Sequence, residues 1–104
     1  MVIPGKTHIM REDFERIVMA VAEASDLTPG MILGKRRFPE VIDARGIVVK
    51  LMRDSGFYPT RIASYLGMTA RNVNYILYDI EMRLSREEKS VGNILERARK
   101  NLSK

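Results

Sequence analysis

The side chains best suited to chemistry in this chain are cations and amides, gathered in two places. Lys35, Arg36 and Arg37 form an uninterrupted basic run. Farther on, Arg71, Asn72, Asn74 and Tyr75 interleave with apolar residues at helical spacing. A guanidinium pairs bidentately with guanine and an asparagine amide with adenine, while a methyl such as that of Ala70 can touch a thymine methyl. The Thr69 hydroxyl and the backbone N–H groups beside it can hold a phosphate. An arginine carried on a loop can enter a narrow minor groove, where the potential is most negative. This is the chemistry of recognising a polyanion.

Bond-making chemistry has little to stand on. There is no cysteine, and His8 is the only histidine. A thiolate nucleophile, a cysteine-ligated zinc and a histidine-centred triad therefore have no residues to build them. Gly5-Lys6-Thr7 matches the end of a P-loop, but the motif's first glycine would fall before Met1 and no strand precedes it. Glu87 and Glu88 fit helix capping better than acid–base work. The expectation is no enzyme, with no catalytic residue, cofactor, metal or small-molecule substrate.

The second cluster needs an element to present it, and residues 59–78 supply one. Ile62 and Leu66 lie one turn apart, and small Ala63 sits where a second helix must cross closely. Gly67 follows, where a positive φ is usually required. Thr69 can N-cap the next helix, and Val73, Ile76, Leu77 and Ile80 recur at helical spacing. Two short helices joined by a glycine turn form a helix-turn-helix, whose second helix reads the major groove from its first two turns. With the apolar stripe inward, the outer face carries Arg71, Asn74, Tyr75 and Tyr78, with Asn72 near the first turn. An ordinary αα-corner uses the same turn, but a merely solvated face would carry more Glu and Lys pairs.

Charge is distributed unevenly. The net charge is +5, and residues 35–61 hold seven basic against three acidic residues. Among the seven, Arg45 falls one turn into an expected helix and Arg61 in the first turn of another, where each could meet a phosphate. A concentrated basic region beside a possible reading helix suits nucleic acid.

The rest of the chain reads as a helical frame. Residues 1–9 are expected to be a flexible tail and residues 10–104 one helical domain, with the helix-turn-helix at about 59–84. Met10, Phe14, Ile17, Val18 and Val21 mark a first helix. Thr28-Pro29 opens a short second one that stops at Gly34. Pro39 starts a third, with Val41, Ala44, Ile47 or Val48, Leu51 and Met52 as its buried face, ending near Gly56. Phe57-Tyr58 is expected to pack at the entry of the motif. Ser85-Arg-Glu-Glu88 reads as a capping box for a last helix striped with Val91, Ile94, Leu95, Ala98 and Leu102. No strand alternation is convincing. The expected class is all-α, a compact bundle of about six helices. No apolar run approaches the roughly 20 residues that span a bilayer. With no signal-peptide core at the N-terminus, a cytoplasmic, nucleoid-associated location is the default.

These parts, in this order, resemble a known family. Residues 16–23, the segment Leu27-Thr-Pro-Gly-Met-Ile-Leu-Gly-Lys-Arg-Arg37 and residues 41–45 look like the C-terminal, DNA-binding domain (domain IV) of the bacterial replication initiator DnaA. The resemblance spans about residues 10–102, and Leu33-Gly-Lys-Arg-Arg37 is its most specific part. It implies a Trp-repressor-like helical fold and a monomer, although helix-turn-helix proteins also dimerise. It implies an arginine in the minor groove at Arg37, a second DNA-contacting arginine at Arg45 and a basic contact at Arg53. The family opens its recognition helix with Gly-Arg-Asp-His-Thr-Thr, which reads the DnaA box. Here the stretch is Met68-Thr69-Ala70-Arg71-Asn72, one residue shorter, with a different set of base-facing groups. These residues hold no counterpart of the ATPase domain, so helicase loading and origin melting by that mechanism are not expected.

The expected function is sequence-specific binding of double-stranded DNA, by a helix in the major groove and a basic loop in the adjacent minor groove. Regulation of replication or transcription is the process this suits. The alternative is a protein-interaction adaptor that keeps the fold and has lost DNA reading.

Overall fold

The computed structural model describes the backbone of residues 4–103 and the side chains of residues 10–103. Among these residues there are six helices and no strand. They are α1 (Pro4–Ser25), α2 (Pro29–Leu33), α3 (Pro39–Asp54), α4 (Pro59–Leu66), α5 (Ala70–Ser85) and α6 (Lys89–Leu102). None of them is long and apolar enough to cross a membrane.

Four of the six helices begin with proline. Proline at the first helical position lacks only an N–H that would go unpaired there, and its fixed φ already suits the helix. This accounts for a difference at the N-terminus. Residues 4–9, expected as tail, are helical in backbone, because Pro4 starts α1 and nothing before Met10 breaks it. Residues 1–3 lie outside the described residues.

The centre of the molecule is α3. Val41, Ala44, Ile47, Val48, Val49, Leu51 and Met52 are all buried, so both Ile47 and Val48 face inward. Burial of each of these side chains larger than that of Ala44 stabilises by about 1.5–3 kcal/mol. α1 packs on α3 and brings Phe14, Ile17, Val18 and Val21 into the core, and α6 packs on α1 and brings in Val91, Leu95 and Ala98. Asn101 near the end of α6 donates from Nδ2 to the Ala20 carbonyl at 3.1 Å, fixing α6 along α1.

The helix-turn-helix is formed by α4 and α5. Gly67 closes α4 at φ 65°, a left-handed conformation that glycine adopts without steric cost. Thr69 accepts the Asn72 N–H at 3.1 Å and caps α5. Tyr65 of α4 stacks on Phe14 of α1, ring centres 4.7 Å apart, and meets Phe57 edge-on at 6.1 Å. This aromatic contact ties α4 to α1 and to the residues that precede it. α5 approaches α3 closely at Gly46, where a Cβ would lie 3.0 Å from Ile80 Cδ1. Val73 and Ile80 are buried, whereas Ile76 and Leu77 are only partly covered.

Two expectations fail at the connections. Ser85-Arg-Glu-Glu88 is not a capping box. α5 continues to Ser85, whose hydroxyl donates back to the Met82 carbonyl at 2.7 Å, and Glu88 occupies the N-cap of α6 without a side-chain capping bond. Glu87 takes a positive φ of 57°, and Glu88 turns its carboxylate onto Arg83 Nε at 2.9 Å. An ion pair with a neighbouring helix outcompetes the local cap. At the entry of the motif Phe57 is buried as expected, but Tyr58 is 72 % exposed.

Candidate nucleic-acid interface

A cleft of about 720 Å³ runs between the loop after α2, the start of α3 and the helix-turn-helix. The loop contributes Lys35 and Arg37, α3 contributes Ile42 and Arg45, and α5 contributes Asn72, Tyr75 and Asp79. The fold thus brings together part of each cluster singled out in the sequence, Lys35 and Arg37 of the first with Asn72 and Tyr75 of the second.

The loop owes its shape to Arg45. A five-residue helix leaves its last carbonyls unpaired, and Gly34 is extended (φ −80°, ψ −169°), so no left-handed turn closes α2. Arg45 reaches across from α3 instead. Its Nε donates to the Ile32 carbonyl at 2.9 Å, and its terminal nitrogen donates to the carbonyls of Gly34 at 2.6 Å and Arg36 at 3.4 Å. Partial burial, and then the charge of Arg37, pull its pKa below the usual arginine value. Arg45 therefore serves first as a brace for the loop, and the phosphate contact expected of it competes with three carbonyls.

The braced loop presents cations outward. The side chains of Lys35, Arg36 and Arg37 are exposed and form no hydrogen bond or ion pair among the described residues. Lys35 and Arg37 line the cleft and Arg36 does not. Arg53, near the end of α3, donates to the Phe57 carbonyl at 3.4 Å, and Arg61 stands exposed in the first turn of α4. Neither of these two lines the cleft.

The face of α5 divides in two. Asn72, Tyr75 and Asp79 line the cleft, while Arg71, Asn74 and Tyr78 point away from it, all exposed. Asn72 Nδ2 lies 3.5 Å from Met68 Sδ, a weak bond that turns the amide toward the glycine turn. Tyr75 and Tyr78 are 68 % and 66 % exposed. Thr69 is committed to its cap, and Ala70 beside it is half-buried. Sequence reasoning missed Asp79, one turn beyond Tyr75. It adds a carboxylate to a cleft whose other charged lining residues are the cations Lys35, Arg37, Arg45 and Arg83. Ile42 was missed too, although its position one turn after Phe38 on α3 was a readable signal.

Arg83, which also lines the cleft, locks three helices. Its guanidinium donates to Asp43 of α3 at 2.7 Å, to Glu88 at 2.9 Å and to Ser90 Oγ of α6 at 3.4 Å. The bond to Asp43, followed by that to Glu88, raises its pKa above the usual arginine value. α5 is thereby fixed to α3 at two points, Gly46–Ile80 and Asp43–Arg83.

No known protein family model and no characterised protein matches this chain.

Proposed function

We propose that this protein binds double-stranded DNA sequence-specifically, with the first turns of α5 in the major groove and the Lys35–Arg37 loop in the adjacent minor groove. The observation that carries the reading is the shared cleft, with Lys35 and Arg37 on one wall and Asn72 and Tyr75 on the other. Loop cations on a braced backbone suit a narrow groove. Exposed Arg71 and Asn74 in the first turns of a helix-turn-helix suit base edges. The likeness of residues 33–37 to the basic loop of the DnaA C-terminal domain supports the same docking, and control of replication or transcription is the role it suits. The changed opening of α5 argues for a target other than the DnaA box.

Selection from a random duplex library tests this directly. An enriched motif is the expected result, and no binding of any duplex at low salt ends the proposal. With five or six phosphates engaged, log K should fall against log salt with a slope of about −5.

One observation favours the adaptor as a second reading. The cleft includes exposed Leu33 and Ile42 together with Asp79, groups that suit a peptide better than a phosphate backbone. A protein partner retained after nuclease treatment, with no duplex selected, is the outcome that reading predicts.

A further inference from the structure

Phe38 is a large apolar side chain that neither the core nor the proposed cleft uses. It is 52 % exposed, directly follows the Lys35–Arg37 run, and is not among the residues lining the cleft. An apolar ring of this size in water forgoes the stabilisation that burial brings. Its surroundings are unusual as well. Leu33 and Ile42, at 42 % and 43 % exposed, flank it in the chain, so the basic loop is bordered by large apolar groups.

The backbone under Phe38 is held on both sides. Before it, Arg45 binds the carbonyls of Ile32, Gly34 and Arg36. After it, Pro39 opens α3, and the Phe38 carbonyl accepts the N–H groups of Val41 at 2.9 Å and Ile42 at 3.0 Å. Phe38 is itself the N-cap residue, extended at φ −65° and ψ 143°. A ring on such a support keeps its position when pressed against another surface.

We infer that Phe38 is a wedge that enters a base step of the duplex beside the groove occupied by Arg37, partly unstacking it and bending the DNA. The inference rests on the proposed DNA-binding reading. Three adjacent cations draw the backbone phosphates to the loop, and the next residue meets the groove floor. Apolar side chains that part base steps next to a minor-groove arginine bend duplexes, and they favour flexible pyrimidine–purine steps. Phe38 would thus confer a preference for such a step without a hydrogen bond to any base.

The test uses the whole chain and a duplex enriched from the random library. 2-Aminopurine is placed in turn at steps along the site, and end-labelled duplex reports the bend by energy transfer. Wild-type protein should raise the fluorescence at one step and shorten the end-to-end distance. Phe38→Ala should lose most of both signals while still binding, and Phe38→Leu, which keeps an apolar wedge, should retain an intermediate signal. Because Phe38 is exposed, both variants should match wild type in helical circular dichroism. Equal fluorescence and bend for wild type and Phe38→Ala on a bound duplex overturn the wedge and leave DNA binding standing. Failure of the wild type to bind any duplex overturns both.

Discussion

Arg45 closes the end of α2 by donating its Nε–H to the Ile32 carbonyl oxygen at 2.9 Å. The same guanidinium reaches Gly34 and Arg36, so one side chain of α3 shapes the whole basic loop. A hydrogen bond from a charged donor contributes about 1.5–3 kcal/mol, less where water competes. Arg45→Ala should therefore cost about 2 kcal/mol in urea unfolding. The amides of residues 34–38 should exchange with solvent faster, in a native state that is otherwise unchanged. Arg45→Lys should recover only part of this, because a compact ammonium cannot reproduce the fork of donors. Unchanged exchange in the loop would show that Arg45 does not organise it.

A second relationship fixes α5. Arg83 and Asp43 are 22 % and 15 % exposed and meet at 2.7 Å across 40 residues of sequence. A double-mutant cycle of Arg83→Met with Asp43→Asn should give a coupling of about 1–2 kcal/mol, above the range of exposed pairs. The cycle with Glu88→Gln should give less, since Glu88 is more exposed. Pairing raises the pKa of Arg83. A group whose folded pKa is raised contributes its stability in full below its unfolded pKa and loses it only above. The unfolded value for arginine is far alkaline, so the Arg83 contribution should be flat through neutral pH. A coupling near zero would mean that the Asp43–Arg83 pair does not help to position α5 on α3.

What sequence could and could not reveal follows from the range of the interactions. Thr28-Pro29, Gly67 and Thr69 were legible because capping and positive φ are decided within three or four residues. The buried faces of α3 and α6 were legible because periodicity reports them directly. The role of Arg45 was not, since an arginine has the same sequence signature whether its partner is a carbonyl or a phosphate. Glu88 was misread for a related reason. Its choice between a local cap and Arg83 depends on where α5 ends, and that depends on packing. The division of the α5 face was hidden too, because one helical period cannot say which exposed side meets the loop across the cleft.

Asp79 offers a prediction that sequence alone did not suggest. It lines the cleft and makes no hydrogen bond or ion pair among the described residues. A carboxylate near a phosphate backbone repels it, and the repulsion is screened over about 8–10 Å at ordinary salt. Asp79→Asn should raise affinity for every duplex and leave the selected motif as it is. The gain should shrink as salt is added. If the variant instead changes the preferred base at one position, Asp79 reads a cytosine amino group and is part of the recognition code.

The proposed two-groove docking assigns different work to Arg37 and Arg71. Arg37 lines the cleft from the loop, whereas Arg71 stands exposed in the first turn of α5, away from the cleft. A groove-lining cation beside the backbone acts mainly through charge. Arg37→Ala should weaken binding on all sequences alike and reduce the salt slope by about one. A guanidinium facing guanine acts through geometry. Arg71→Ala should cost about 1–3 kcal/mol on the preferred site, relax selection at one position and cost little on random duplex. Arg71→Lys should keep the charge and still lose the preference, because it lacks the bidentate fork. Anisotropy titrations of the three variants on preferred and scrambled duplexes, at two salt concentrations, separate these effects. Equal losses on both duplexes for Arg37→Ala and Arg71→Ala would mean that neither residue reads bases, and the specificity would then rest on the other groups of the interface, Asn72, Asn74, Tyr75 and Phe38 among them.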